Sequence, residues 1–139
     1  MGNKFTMQLE AKLINESFIR SSISNFILPL NPTVAEINDI KTAVSEAFTN
    51  AIVHGYNNNG GTVFVECCYA ENIVTIKIKD YGVGIENIKK AREPFFTTKA
   101  DQERSGMGFT LMETFMDDLV VTNNTEGGIC VCMTKQICG

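Results

Sequence analysis

The sequence predicts an α+β fold, because stretches with helical periodicity alternate with stretches of strand character. In residues 18–27 and 37–52, apolar side chains recur every three or four positions, as on the buried face of a helix. Residues 62–79 and 119–134 each contain two runs rich in apolar and β-branched residues around a turn, which is the pattern of a β-hairpin. We expect one domain comprising residues 1–139, a length that can bury a continuous core without disulfides.

The N-terminal part predicts a strand followed by a helix. Residues 4–11 alternate weakly between polar and apolar side chains, and Asn15 is a candidate N-cap for the helix. Pro29 and Pro32 bracket a break after it. The predicted inward stripe of this helix consists of Phe18, Ile19, Ile23, Phe26 and Ile27.

The second helix is predicted to be the longest in the chain. Thr33 and Glu36 have the spacing of a capping box, in which each side chain accepts a hydrogen bond from the other residue's backbone. The helix is expected to end at Gly55, before a turn rich in asparagine and glycine at 57–61. Its apolar stripe comprises Ile37, Ile40, Val44, Phe48, Ala51 and Ile52.

The first hairpin is predicted to turn at Ala70 and Glu71, although neither is a standard turn former. Its second strand ends at Asp80. The last hairpin, 119–134, turns through pairs of asparagine and glycine residues.

A lid and a third helix are predicted between the hairpins. Residues 85–92 are amphipathic, whereas residues 93–105 are largely polar and lack an apolar period, so we expect a mobile lid there. A helix is predicted over 108–116. Its inward residues are expected to be Phe109, Met112 and either Phe115 or Met116.

Composition narrows the class of function. The formal net charge is −4 and no run of lysine and arginine occurs, which argues against a nucleic-acid groove. No apolar stretch approaches the length of a membrane span and no signal-peptide pattern follows Met1, so we expect a cytoplasmic protein. The five cysteines lack the paired spacing of a zinc site, and most are predicted to be reduced core residues.

Glu46 and Asn50 are four residues apart in the second predicted helix, so they lie on one side of it, opposite Val44 and Phe48. A polar pair opposite a core stripe is usually a solvated surface. If this side instead faces a cleft, Asn50 offers a carbonyl oxygen to Mg²⁺ and Glu46 a carboxylate that accepts a proton from an attacking hydroxyl. The two residues alone are consistent with both interpretations.

Asp80, Gly82 and Gly84 follow the first hairpin. An ordinary turn would account for this segment. An acid at a strand end followed by alternating glycines also suits a nucleobase, because the carboxylate accepts a hydrogen bond from an exocyclic amine and the glycines let a flat ring approach the backbone.

The residues Ser105, Gly106, Met107 and Gly108 lead directly into the third predicted helix. The unpaired N–H groups and the positive dipole end of a helix N-terminus favour phosphate. Two glycines alone are a weak signal, and the preceding Arg104 and polar lid strengthen it.

In this order the motifs resemble the N, G1 and G2 boxes of the GHKL ATPases, which include gyrase B, Hsp90, histidine kinases and MutL, and residues 94–99 resemble the F box. The match covers residues 33–134. Residues 45–51, 54–56, 104–109 and 116–118 are more similar still to the anti-sigma serine kinases, in particular to those of sporulation. The resemblance implies a Bergerat fold: a two-layer sandwich with a mixed, largely antiparallel sheet, helices on one face, and ATP between the helices and a flexible lid.

The resemblance also implies roles for individual residues. Glu46 corresponds to the general base, Asn50 to the Mg²⁺ ligand and Asp80 to the acceptor of the adenine amine. Gly82 and Gly84 form the turn beside adenine. The further nucleotide contacts that it implies are Thr97, Thr98, Lys99, Arg104, Ser105, Gly106, Met107, Gly108 and Phe109.

The chain departs from the family pattern at the entry to the last strand. Many members carry a Gly-Thr pair there whose threonine helps to hold adenine, whereas here Gly128 is followed by Ile129 and Cys130. The resemblance therefore does not carry the threonine contact over to this chain, and Asp80 alone should preserve the preference for adenine.

The implied function is that of an anti-sigma factor that is also a protein serine kinase using Mg-ATP. Such a protein sequesters a sporulation sigma factor and phosphorylates a serine of an anti-anti-sigma protein, and it forms a homodimer through a sheet edge or the first helix. Glu16 and Arg20, on the polar face of that helix, are the predicted partner-binding residues, unless they form an ordinary solvated pair.

Two alternatives to this function remain. One is a catalytic domain of the histidine-kinase type, and the other is a non-catalytic binding module that uses ATP only to set its shape. Glu46 favours catalysis over the binding module, because such a module has no need of a base facing the γ-phosphate.

Overall fold

The computed structural model describes residues 2–84, 88, 92 and 108–138. Short 3-10 turns flank the first helix at Leu13–Asn15 and Leu28–Leu30, and a π-helical turn at Ala51–Gly55 extends the second. The predicted order of strands and helices is confirmed. The elements are β1 (Gly2–Glu10), α1 (Glu16–Phe26), α2 (Val34–Asn50), β2 (Thr62–Ala70), β3 (Ile73–Lys79), α3 (Gly108–Phe115), β4 (Asp118–Asn123) and β5 (Ile129–Gln136).

The strands form a five-stranded sheet in the order β1-β2-β3-β5-β4. All four pairings are antiparallel. The sheet is therefore not mixed within the described strands, because the chain reverses direction at each hairpin and returns through α3 and β4 to pair β5 antiparallel to β3. The central strand β3 leads directly to Asp80.

A continuous apolar core lies between this sheet and the helices. Buried and half-buried residues alternate along β2 and β3, so each strand turns one face toward the helices. The predicted two-layer α+β architecture is confirmed. The core residues include Val63, Val65, Cys67, Val74, Ile76, Ile78, Val131 and Met133 of the sheet and Ile19, Ile23, Ile40, Val44, Phe48 and Met112 of the helices.

The capping box at the start of α2 is confirmed. Thr33 Oγ1 accepts a hydrogen bond from Glu36 N at 3.0 Å, and Glu36 Oε1 accepts one from Thr33 N at 2.9 Å. The other carboxylate oxygen of Glu36 accepts a bond from Cys138 N at 2.8 Å. One side chain thus fixes both the beginning of α2 and the segment that follows β5.

One prediction about α1 is wrong. Phe18 is 55% exposed, because the three buried isoleucines of the stripe are spaced four apart and Phe18 lies about 100° around the helix from them. Asn15 occupies the predicted N-cap position of α1, but its side chain makes no capping hydrogen bond and instead donates one to Glu10 O at 2.9 Å. Of the two alternatives predicted at the end of α3, Met116, the residue after the helix, is buried and Phe115 is half-buried.

The turn of the first hairpin is shifted by one residue from its predicted position. Ala70 pairs with Ile73, so the turn consists of Glu71 and Asn72. Glu71 adopts φ 57, a left-handed conformation that is unusual for glutamate. Glu71 adopts this conformation because the pairing of Ala70 with Ile73 leaves only two residues for the turn, and not because glutamate favours turns.

The five cysteines are free thiols, but most of them are not core residues. Cys67 is buried, and burial raises the pKa of its thiol to about 12. Cys68, Cys130 and Cys132 are half-buried because strand alternation turns them to the sheet face away from the helices. Cys138 is exposed.

The predicted lid, 93–105, lies outside the described residues, as does most of 85–92. Arg92 N donates to Ile88 O at 3.1 Å, which is helical i to i−4 spacing, and the Arg92 guanidinium pairs with Glu113 of α3. Within the described part of the chain, none of the helices combines the length and the apolarity that a membrane crossing requires.

Candidate functional site

The end of α2 meets the start of α3 at residues from two different motifs. Asn50 is the last residue of α2 and is only 9% exposed. A Cβ atom built on Gly108 would lie 3.1 Å from Asn50 Nδ2 and 3.2 Å from its Oδ1, so a residue without a side chain lets α3 begin against the amide. Glu46 lies half-buried one helical turn earlier. Residues about sixty positions apart are thus brought together.

Asp80 is almost inaccessible to solvent, at 2% exposure. Its Oδ1 atom accepts hydrogen bonds from Gly82 N at 3.0 Å and Ile129 N at 3.4 Å. Burial raises the pKa of this carboxyl group, and the two backbone hydrogen bonds oppose that rise only in part. The carboxyl group is therefore oriented by the backbone on one side while it lacks the solvation that water gives an exposed acid.

Glycines allow the backbone to close around Asp80. A Cβ atom on Gly55 would lie 2.8 Å from Asp80 Cγ, and one on Gly128 would overlap the Asp80 carbonyl oxygen. Gly82 packs so closely on Gly55 that a Cβ atom there would overlap the Gly55 carbonyl oxygen. Gly128 also adopts φ 80, which favours glycine. Of these three glycines, only Gly82 belongs to the predicted site.

Asn124 is a second feature that the motifs did not identify. Its Nδ2 donates to Asp80 O at 2.8 Å, across the hairpin between β4 and β5. Asp80 N in turn donates to Ile129 O at 3.0 Å. Ile129, which follows Gly128 where many family members carry a threonine, thus contacts Asp80 through its backbone. The asparagine and glycine residues between β4 and β5 predicted a turn in the sequence, but they did not predict that this turn would contact Asp80.

A polar seam between α1 and α2 lies beside these residues. Thr49 Oγ1 donates to Glu16 Oε2 at 3.3 Å, and Arg20 NH1 lies 4.0 Å from Glu16 Oε1. Arg20 Nε and Ser45 Oγ are buried without a hydrogen-bond partner among the described residues. Of the two predicted partner-binding residues, Glu16 therefore contacts the helix that carries Glu46 and Asn50, and Arg20 pairs with Glu16.

Several predicted site residues lie outside the described part of the chain: Thr97, Thr98, Lys99, Arg104, Ser105, Gly106 and Met107. Gly108 and Phe109 are described. The Phe109 side chain is 8% exposed and belongs to the apolar core. The part of Phe109 that suits an anion is therefore its backbone N–H group, in the first turn of α3.

The donor set fits Mg²⁺ better than a transition metal. No group of three or more histidine, cysteine, aspartate and glutamate side chains with metal-binding geometry occurs among the described residues. Mg²⁺ keeps several waters and is usually bound through one or two protein oxygens together with substrate phosphates. The amide oxygen of Asn50, beside a helix N-terminus, satisfies that requirement.

Comparison with known proteins is consistent with this geometry. Residues 9–135 match the family of histidine kinase-like ATPase domains. Over 138 residues the chain is 49% identical to the anti-sigma F factor of Geobacillus thermodenitrificans, covering 99% of this chain and 94% of that protein. It is also 49% identical over 138 residues to the anti-sigma F factor of Clostridium perfringens, covering 99% of each. The chain belongs to the anti-sigma F factor family.

Adenine nucleotides are accordingly the ligands of this member of the anti-sigma F factor family, since its matching domain is an ATPase domain. Its fold also resembles a solved structure of the RsbU and RsbW domains of Rv1364c from Mycobacterium tuberculosis, with a TM-score of 0.67. That likeness covers 97% of this chain and 32% of the longer chain at 18% identity, and it supports the fold alone.

Proposed function

We propose that this member of the anti-sigma F factor family binds a sigma factor and is a protein kinase that transfers phosphate from Mg-ATP to a serine of an anti-anti-sigma protein. The observation that supports this most directly is the position of Glu46, one helical turn from Asn50, where α2 meets the start of α3. A carboxylate one helical turn from the proposed cation ligand is suited to act as a base. We also place this protein in the cytoplasm, because that is where its proposed sigma-factor partner acts.

The chemistry assigned to the site is transfer of the γ-phosphoryl group to a hydroxyl. Glu46 accepts the proton of the partner's serine as the serine oxygen attacks phosphorus, and ADP leaves. Asn50 would hold Mg²⁺, which neutralises charge on the phosphates. The backbone N–H groups at Gly106, Met107 and Gly108 are assigned to the phosphates, because a helix N-terminus favours anions.

Further cationic and hydroxyl contacts to the phosphates are assigned to Thr97, Thr98, Lys99, Arg104 and Ser105, and a backbone contact is assigned to Phe109. Adenine is assigned to the pocket at Asp80, Gly82 and Gly84. The carboxylate there has both an oriented oxygen and little access to water, so an amine that donates to it replaces solvation that is otherwise missing.

Glu46→Gln tests the proposal, because glutamine keeps the size of the side chain but cannot accept the proton. We expect Mg-ATP affinity to be retained and phosphorylation of a purified anti-anti-sigma protein to slow by about 10²-fold or more, measured with labelled ATP in single-turnover conditions. Glu10→Gln makes the same change at an exposed residue at the end of β1 and should leave the rate unchanged. A wild-type rate in Glu46→Gln would assign the base to another group.

The same assay distinguishes the alternatives. A catalytic domain of the histidine-kinase type would label a histidine, and phosphohistidine is labile in acid whereas phosphoserine is stable. A non-catalytic binding module would bind ATP without labelling any partner. Acid-stable label on serine supports the proposed kinase over both.

The partner surface is assigned to α1. Beside Glu16 and Arg20, the side chains of Leu13, Ile14 and Phe18 are 57%, 81% and 55% exposed. An exposed apolar cluster next to an arginine has the composition of an interface centre. We also propose a homodimer, for which the edge strand β1 and helix α1 are the candidate contacts, and light scattering of the purified protein tests this assembly.

A further inference from the structure

Tyr56 connects three segments near Asp80. Its hydroxyl oxygen accepts a hydrogen bond from Tyr81 N at 2.7 Å, and the hydroxyl donates to Thr62 O at 2.6 Å. Tyr56 itself follows the π-helical turn at the end of α2. One side chain therefore links the end of α2, the loop after β3 and the first residue of β2.

The ring of Tyr56 is held in place by its surroundings. Tyr56 N donates to Ala51 O at 3.0 Å, the i to i−5 spacing of a π turn, and Asn59 N donates to Tyr56 O at 2.9 Å. The ring lies over Gly61, where a Cβ atom would be 2.5 Å from Tyr56 Cε1. The position of the hydroxyl is thus fixed, and the loop after β3 is bonded to it through Tyr81 N.

Tyr56 bonds to the peptide that directly follows Asp80. The N–H and carbonyl groups of Asp80 itself are bonded to Ile129 and Asn124, on the side of β4 and β5. The bond from Tyr81 N to Tyr56 holds the opposite side of the same backbone. The two supports together fix the backbone that carries the Asp80 side chain. A hydrogen bond from a ligand to the carboxylate would weaken steeply if that backbone shifted, because the bond would be misaligned.

We propose that Tyr56 is a positioning residue that sets the adenine preference of the site by aiming the Asp80 carboxylate at the 6-amino group. This inference rests on the proposed role of Asp80 in accepting that amine. Loss of the Tyr56 hydroxyl should weaken recognition of the amine and spare the contacts made to sugar and phosphate. An effect confined to one group of the ligand separates positioning from a general loss of stability.

The experiment compares ADP with purine riboside 5′-diphosphate, in which hydrogen replaces the 6-amino group, by calorimetry on the full chain with Mg²⁺. The wild type is expected to prefer ADP. Tyr56→Phe should lower ADP affinity about fivefold, the effect of one misaligned hydrogen bond, and leave the affinity for the analogue unchanged. Tyr69→Phe removes a hydroxyl from β2, where the ring packs on Phe26, and should keep the wild-type preference.

Each outcome supports or overturns the proposal. An equal loss of affinity for the two nucleotides in Tyr56→Phe, or an unchanged preference, would give Tyr56 a structural role only. A wild type that binds both nucleotides equally would instead refute the role of Asp80, so the two failures are distinguishable. If Tyr56→Phe does not fold, Gly61→Ala displaces the same ring, and a retained preference in that variant would overturn the proposal.

Discussion

Asp80 is a carboxyl group whose location costs the free protein stability. Burial raises its pKa, so the folded state binds the Asp80 proton more tightly than the unfolded chain does. This group therefore stabilises the fold below its ordinary pKa of about 3.9, and that contribution is lost as the pH rises through the higher folded pKa. Above that folded pKa the buried group is ionised and opposes folding.

Asp80→Asn should separate affinity from stability. Asparagine can still accept from Gly82 N and Ile129 N but places an amide donor at the proposed position of the adenine amine, so ADP affinity should fall by about 1–3 kcal/mol. The free variant should be at least as stable as the wild type at pH 7 in urea titrations. Its advantage should grow as the pH rises from about 4, since only the wild type loses stability over that range.

Asp118→Asn is the matched control, because it makes the same change at an exposed position at the start of β4. It should leave the ADP affinity unchanged. Wild-type ADP affinity in Asp80→Asn would remove Asp80 from the site, and a stability difference independent of pH would contradict the stated origin of its raised pKa.

At the scale of single elements, local signals predicted what local bonds determine. The capping box of Thr33 and Glu36 was visible because both partners lie within four residues of each other. The turn at Glu71 and Asn72 was misplaced because its position follows from the pairing of Ala70 with Ile73 across two strands. Side-chain preference is a weak guide wherever the pairing register decides the backbone conformation.

Thr33→Ala measures the contribution of the capping box. It removes the acceptor for Glu36 N, and we expect the free energy of unfolding to fall by about 1 kcal/mol. Thr42→Ala is the control, because Thr42 Oγ1 bonds to Asn38 O inside α2 and alanine is the better helix former. A loss of stability as large in Thr42→Ala would show that threonine removal, and not the cap, is being measured.

At the scale of the whole molecule, packing joins motifs that the sequence identifies only separately. Asn50, Asp80 and Gly108 belong to predicted motifs, and the structure brings Asn50 against Gly108. The residues that support Asp80 were not predicted. Asn124 and Gly128 contact it from the hairpin between β4 and β5. Binding residues carry recognisable chemistry, whereas supporting residues are defined by approaches between distant segments, which one sequence does not encode in any local pattern.

The seam between α1 and α2 places the proposed partner surface next to the proposed catalytic helix. Arg20 is paired with Glu16 at the limit of ion-pair distance and its side chain is 40% exposed, so that pair contributes little to stability. Its Nε atom is buried without a partner among the described residues. An arginine so weakly bound within its own chain has hydrogen-bonding capacity left for an acidic group on another protein.

Arg20→Glu should therefore weaken capture of the sigma factor, the anti-anti-sigma protein or both by about tenfold or more, the loss typical of a central interface residue. ADP affinity and thermal stability should stay at wild-type values, because Arg20 touches neither Asn50 nor Asp80 in the contacts described above. Lys4→Glu makes the same charge reversal at an exposed side chain on β1 and should leave both affinities unchanged. Titration of each variant with both purified partners decides the matter: wild-type affinity of Arg20→Glu for each partner would place the docking surface away from α1.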